Sequence, residues 1–414
     1  MKRIFFTIAA AVIMASCCSP DPVRLAADKV FGLAELQYAA MEGALGEGEY
    51  PRNTDKDGNM RTSDLGWWCS GFYPGSLWYI YEYTGNQYFR KAALERTRGM
   101  EALIDMDTDH DIGFQIGCSY GNALRLTGDS AAFVPTFIAA ARKLAARLNP
   151  ATGVTLSWNW VRNDWKYPVI IDNMMNLELL VDAARISSDT TLRDAAVTHA
   201  NTTLRNHFRP DWTSWHLVDY DPVTGEVRSK ETVQGYAHGS AWARGQAWAL
   251  YGYAMMYRET LLPEYLNAAE NIADMIIRHL PEDGIPYWDF NAPGTPDAMD
   301  ESAPGAASNP HAYADRVYRD ASAGAIMASA FIELSGLSND PSASEAYMNT
   351  ARKQILTLAS EEYLAKPGEN GNFLLKHCVG NIPENGEIDT ALSYADYYFL
   401  EALVRYCATA QEQP

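Results

Sequence analysis

Five segments, far apart in the chain, set a carboxylate or a cation among small and aromatic residues. They are D-H-D-I-G-F (Asp109 to Phe114), I-I-D-N-M-M-N (Ile170 to Asn176), G-Y-A-H-G-S-A-W-A-R-G-Q-A-W (Gly235 to Trp248), Y-R-D-A-S-A (Tyr318 to Ala323) and E-I-D-T (Glu387 to Thr390). Two carboxyl groups in unlike surroundings can divide acid and base work between them. The ordinary use of an aspartate before a helix is an N-cap, which accepts a backbone N–H and complements the helix dipole. Asp320 and Asp389 read as plain caps. Asp111 and Asp172 carry more. Asp111 follows His110 and precedes a glycine and an aromatic. Asp172 follows the apolar, strand-like Pro168–Ile171, which would deliver it rigidly. For both, the cap reading stands beside the catalytic one.

His216 and His238 are hydrogen-bonding candidates. No H-x-x-x-H or comparable spacing is present, so neither a metal nor a cofactor is expected. Arg244, flanked by small residues, is expected inside a helix, and a buried arginine needs a partner. That partner is either a protein carboxylate or a carboxylate on the substrate. Of the eleven tryptophans, Trp67, Trp68, Trp158, Trp160, Trp165, Trp212, Trp215 and Trp288 fall in long connections or at a helix start. Solvated loops do not need tryptophan. The rings form either a sugar-stacking wall or small local cores.

The elements that must position these groups repeat along the chain. Short polar turns such as Thr84-Gly85-Asn86, Thr127-Gly128-Asp129-Ser130 and Ser338-Asn339-Asp340-Pro341 separate two kinds of helical segment. The segments after the turns are amphipathic. Those before them are small and apolar nearly all round, which suits a helix packed on every side. Inner helices are expected near Trp67, Gly113, Asn173, Ser240, Ala321 and Thr390, and outer ones near Pro22, Gln87, Ala131, Thr191, Pro263 and Ser342. Six of each predict an all-α (α/α)6 toroid. The outer-to-inner connections are long (43–66, 150–172, 209–239, 281–320 and 360–389). With the inner helices parallel, these loops gather at the end where those helices begin.

The first residues read as a processing segment. Lys2 and Arg3 precede an apolar run from Ile4 to Ser16, too short to span a bilayer, and then M-A-S-C. This predicts a lipoprotein signal over 1–17 with Cys17 as lipid anchor, and a single catalytic domain over 18–414. An ordinary cleaved signal is the alternative. The protein is then exported, at the periplasm or outer membrane, and meets the membrane only through the anchor. The chain of 414 residues has net charge −19, and loses two more positive charges with the signal. That excludes nucleic acid as a partner, and an anionic ligand needs a local basic site. The other cysteines, Cys18, Cys69, Cys118, Cys378 and Cys407, fit no metal motif and read as isolated thiols.

H-D-I-G-F, I-D-N-M-M-N, H-G-S-A-W-A-R-G-Q-A-W and the later Y-A-D-Y-Y-F-L-E-A-L together resemble the unsaturated glucuronyl hydrolases, glycoside hydrolase family 88. The resemblance covers nearly the whole chain after the signal. It implies a metal-free (α/α)6 barrel in which Asp172 is the general acid/base and Asp111 its carboxylate neighbour. His216, Gln234, Arg244 and Trp248, with His110, fall at substrate-binding positions. One of Trp67 and Trp68, and one of Trp158 and Trp160, supply the stacking wall. The implied reaction removes a 4,5-unsaturated glucuronic acid from lyase-generated glycosaminoglycan oligosaccharides by hydration of its vinyl ether. An unsaturated rhamnogalacturonyl hydrolase, an ordinary inverting glycosidase and a lipid-anchored glycan-binding protein without turnover are the rival readings.

Overall fold

A computed structural model describes residues 21–159, 164–300, 302–305 and 317–409; Cys17, Cys18 and Trp160 lie outside them. The chain alternates outer and inner helices. Outer α1 (Pro22–Ala44) is followed by inner α2 (Phe72–Thr84). Outer α3 (Gln87–Gly99) leads to a broken inner helix: α4 (Ile112–Ile116), a π turn over Gly117–Gly121 and α5 (Asn122–Thr127). Next come outer α6 (Ser130–Ala145) and inner α7 (Asn173–Ser187), then outer α8 (Thr190–Asn206) and inner α9 (Ala243–Thr260). Outer α10 (Pro263–His279), inner α11 (Ala321–Leu337), outer α12 (Pro341–Leu358) and inner α13 (Ser393–Thr409) complete the order. The inner helices pack α4 on α7, α7 on α9, α9 on α11 and α11 on α13. α13 returns to α2, and α2 meets the π turn. The ring is therefore closed, an (α/α)6 toroid.

The two helix types follow from their sequences. α11 is buried on every side from Ala321 to Ile332, because its alanines, glycine and serines let neighbours approach closely. α10 buries one stripe that includes Tyr265, Ala269, Ile272 and Ile276 and leaves the opposite face to water. The short turns are built from caps. Asn86, Asp129, Asp189 and Asp340 each accept a backbone N–H from the first turn of the outer helix that follows. Gly85 and Gly128 end α2 and α5 at φ +70° and +67°, where a side chain would be strained.

Several inner helices start later than their sequence suggests: at Phe72, Ala243 and Ser393 rather than Trp67, Ser240 and Thr390. The residues before them hold extended or turn backbone tied to other segments. Trp242 bridges Asp289, and Thr390 pairs with Cys378. The long connections also carry hairpins that a reading as loops did not anticipate. β1 (Tyr50–Thr54) pairs with β2 (Met60–Ser63), and β3 (Leu148–Asn149) with β4 (Val154–Thr155). β5 (Pro168–Ile170), β6 (Leu217–Tyr220) and β7 (Val227–Glu231) form a three-stranded antiparallel sheet; β8 (Cys378–Asn381) pairs with β9 (Gly386–Thr390). Of these strands, only β5 was expected. Asp389 is a correction. It is not the cap of α13 but lies in β9 at φ +53°, with its carboxylate 2.6 Å from His377 Nδ1. Cys69, Cys118, Cys378 and Cys407 are free thiols.

At the end where the inner helices finish, charges tie them together. Arg258 of α9 bonds Glu178 of α7 and Glu333 of α11, both at 2.6 Å. Arg405 of α13 bonds Glu333 at 2.5 Å. Glu401 of α13 accepts the hydroxyls of Tyr79 on α2, Tyr251 on α9 and Ser329 on α11. Burial alone would push the Glu333 carboxyl up, but Arg405 and Arg258 outweigh it and hold it below the usual range. Its contribution is thus present above the ordinary glutamate pKa and lost as pH falls through the lowered value. Glu333→Gln leaves two guanidinium groups short of a partner and is expected to cost about 3 kcal/mol. Urea denaturation at pH 7 checks it, and the difference should shrink in acid.

Candidate active site

Asp111 and Asp172 occupy the N-cap positions of α4 and α7, yet neither side chain bonds to the helix it begins. Asp320 at the start of α11 does what a cap does, accepting Ser322 N–H at 3.0 Å. The two readings left open by the sequence therefore separate. Asp320 caps, whereas Asp111 and Asp172 hold their carboxyls free of the helix ends. Their side chains are 11% and 14% exposed, so both keep contact with solvent.

Each aspartate is delivered by a local device. Asp172 follows β5, whose pairing with β6 sets Ile170 opposite Leu217. The pairing extends one step, with Ile171 N–H donating to the His216 carbonyl at 2.9 Å. That register puts Asp172 and His216 side by side, with Oδ2 to Nε2 at 3.7 Å. Neither atom has a hydrogen-bond partner among the described residues. The other imidazole nitrogen, Nδ1, accepts the backbone N–H groups of Val233 and Gln234, at 3.1 and 3.3 Å, where the chain leaves β7. An acceptor at Nδ1 fixes the ring proton on Nε2, so His216 presents an N–H to Asp172. Burial, then the charge of Arg244, lowers the His216 pKa to about 3, so the ring is neutral.

Asn176, in the first turn of α7, ties the second carboxyl to the first. Its Oδ1 accepts Phe114 N–H at 2.8 Å, and its Nδ2 lies 3.5 Å from Asp111 Oδ1 and 3.4 Å from His110 Nδ1. Gly113 is required by this approach, because a Cβ there would stand 2.4 Å from Asn176 Oδ1. His110 is fully buried, with Nε2 3.5 Å from Asp111, and burial keeps its pKa well below the usual value. It acts as a neutral spacer.

Burial raises both carboxyls. Asp172 is pushed up to about 7, with Arg244 and the Trp248 indole N–H opposing the rise. Asp111 is raised well above the ordinary range by burial, then by Asp109 and by Asp172 itself. Near neutral pH these carboxyls therefore retain proton that solvent-exposed ones would have lost.

The aromatic and basic candidates are placed as follows. Trp248 is buried in α9, with its ring 5.3 Å from Phe114 and 5.5 Å from Tyr398. Trp68 is half-buried and packs on Phe72, Phe114 and Tyr394, so it belongs to the aromatic floor that includes Trp248. Trp67 is 37% exposed at the rim under the Arg52 guanidinium. Trp158 stacks on Trp165, which is buried with Ile170 and Leu217, so these rings are partly a local core. Gln234 is half-buried beside His216. Arg244 is 1% exposed and takes a protein carboxylate, Asp320 at 3.2 Å, with the carbonyls of Val379 and Gly380. It meets the site as a charge rather than an open fork. The sequence reading missed Asn176 as a tie, although it stands inside the quoted I-D-N-M-M-N. It also missed the Val233–Gln234 backbone, which no side-chain signal could have shown. A cavity of about 710 Å³ lies beyond Phe114, among Tyr79, Tyr251, Glu178 and Arg405, and neither aspartate lines it.

The model of Glycosyl Hydrolase Family 88 matches residues 48–303, which include every one of the site residues just described except Asp320 and the carbonyls of Val379 and Gly380, with the Tyr394 and Tyr398 rings. The chain belongs to glycoside hydrolase family 88. It is 44% identical over 340 residues to the unsaturated glucuronyl hydrolase of Formosa agariphila, covering 82% of this chain and 79% of that protein. A crystal structure of an unsaturated glucuronyl hydrolase specific for heparin superposes with TM-score 0.85 at 40% identity, over 95% of this chain and 99% of the other. A variant of the Streptococcus agalactiae unsaturated glucuronyl hydrolase, in complex with dGlcA-GalNAc6S, superposes with TM-score 0.75 at 27% identity, over 92% of each chain. Membership of the family makes the protein a glycoside hydrolase.

A carboxyl that folds with a raised pKa weakens the fold as it is forced to ionise. For Asp172 the native state binds the extra proton, so its contribution to stability falls as pH rises from about 4 to about 7 and is level above. Asp172→Asn is therefore expected to raise the thermal midpoint at pH 8 by several degrees and to change it little at pH 4. Calorimetry at the two pH values checks this.

Proposed function

We propose that this hydrolase removes the non-reducing-end 4,5-unsaturated glucuronic acid from lyase-generated glycosaminoglycan oligosaccharides. The observation that carries the reading is Asp172: an uncapped, largely buried carboxyl with its pKa at about 7, beside a neutral histidine N–H and a second raised carboxyl. Family membership and the names of the relatives support the substrate class.

The chemistry suits one acid that works twice. Asp172 gives its proton to C4 of the ring double bond, and the positive charge that forms is shared by C5 and the ring oxygen. Asp172, now a carboxylate, takes a proton from a water that adds to C5. The product is a hemiketal, which opens and releases the aglycone sugar. Asp111, raised by burial and by the charges of Asp109 and Asp172, is the second carboxyl of the site. His216 holds its Nε2–H toward Asp172, Gln234 stands beside that imidazole, and Arg244 adds positive charge. Trp248 and Trp68 form the floor under the ring, and Trp67 and Trp158 stand at its rim.

The N-terminal segment is part of the proposal. M-A-S-C makes Cys17 a lipid-acceptor cysteine after export, so the enzyme works from a membrane anchor on fragments produced outside the cytoplasm.

Asp172→Asn should lower kcat on an unsaturated chondroitin or heparin disaccharide by at least 10²–10⁴-fold while leaving the fold intact. Loss of the 4,5-unsaturated chromophore measures it, with circular dichroism as the fold control. Turnover at the wild-type rate would sink the assignment. In the wild type, kcat should fall as pH rises above about 7, because the acid must be protonated to start the reaction. A pH–rate profile on the same substrate reads that limb.

A further inference from the structure

We infer that the protein stands on a lipid bilayer by the end of the ring where its inner helices finish, with the Asp111–Asp172 mouth turned to the water. The inference rests on the lipid-anchor reading of Cys17 and adds the surface that meets the membrane.

The first described residues decide which end the anchor leaves from. Asp21 caps α1 and accepts the Tyr406 hydroxyl at 2.9 Å, while Arg24 donates to the Cys407 carbonyl at 3.2 Å. Tyr406 and Cys407 lie in the last turn of α13. The opposite end of α13, at Ser393, is the mouth end, reached after 17 residues or about 25 Å of helix. From Cys17 to Asp21 the chain takes four residue steps, which span at most about 14 Å fully extended. A lipid on Cys17 therefore holds the finishing end of α13 close to the bilayer, and with the ring standing upright the mouth is about 25 Å farther out.

The same end carries exposed apolar side chains. Leu261, in the turn between α9 and α10, is 70% exposed at φ +57°. The corresponding left-handed positions after α2, α5 and α7 are Gly85, Gly128 and Ser188. A leucine there is strained and wetted, and contact with lipid removes the second cost. Leu25, 53% exposed, lies in the first turns of α1 beside the tether. Charge does not set the pose, because a chain of net charge −19 is not drawn to an anionic leaflet. In this pose substrate enters from the aqueous phase, as a soluble fragment.

The test uses the full chain with its own N-terminal segment, lipidated in a bacterial host and reconstituted into phosphatidylcholine vesicles containing a nitroxide-headgroup lipid. In a Cys18→Ser, Cys407→Ser background, a fluorophore is placed by Leu261→Cys or by Val223→Cys. Val223 is 83% exposed in the β6–β7 turn on the mouth side. Neither position belongs to the catalytic machinery, so both proteins should keep full turnover. Quenching at 261 several-fold stronger than at 223 is expected. Equal quenching, or stronger quenching at 223, overturns the orientation. Mass spectrometry of the N-terminal peptide separates the two readings. Without lipid mass on Cys17 the anchor falls and the orientation with it; with that mass present and the quenching reversed, only the orientation falls.

Discussion

Two carboxyl groups begin helices without capping them, and the site is organised around keeping them that way. A free aspartate before a helix turns readily onto the exposed N–H groups of the first turn. At α4 and α7 the αR backbone of Asp111 and Asp172 removes that option, and the side chains lie instead among Asn176, His110 and His216. Burial there makes ionisation costly, so each carboxyl holds its proton to a higher pH than it would in water. The positive charge that opposes the rise at Asp172, Arg244, is occupied by Asp320 and two carbonyls, which limits how far it can pull the proton away.

Precision comes from strand register and from backbone donors as much as from the ring of helices. The β5–β6 ladder fixes Asp172 against His216, and the exit of β7 returns two N–H groups to the far side of the imidazole. The histidine then has one tautomer and one direction in which to donate. The ring of helices contributes stiffness, through Gly113 packed against Asn176 at the mouth and through the Arg258, Arg405, Glu333 and Glu401 network at the other end. Charge at that far end holds the inner helices together without entering the chemistry.

The start of α1 and the site sit at opposite ends of the same inner helix. α13 joins them: its start borders the mouth, and its last turn receives α1. In the proposed pose, attachment and catalysis are separated by the length of one helix.

The sequence by itself determined the ring and the alternation of inner and outer helices, and it marked Asp111 and Asp172 as residues at helix starts. These are local signals: periodicity, small-residue content and caps at turns survive in one dimension because each depends on residues three or four apart. It also offered both partners for Arg244, and both uses for aspartates at helix starts. Only the tertiary structure decided among them. Whether Asp111, Asp172 and Asp320 cap depends on backbone angles and on neighbours more than forty residues away, and Asp389 was lost to a strand that the E-I-D-T pattern does not announce. The tautomer of His216 rests on main-chain N–H groups, which every residue but proline carries and no sequence pattern marks.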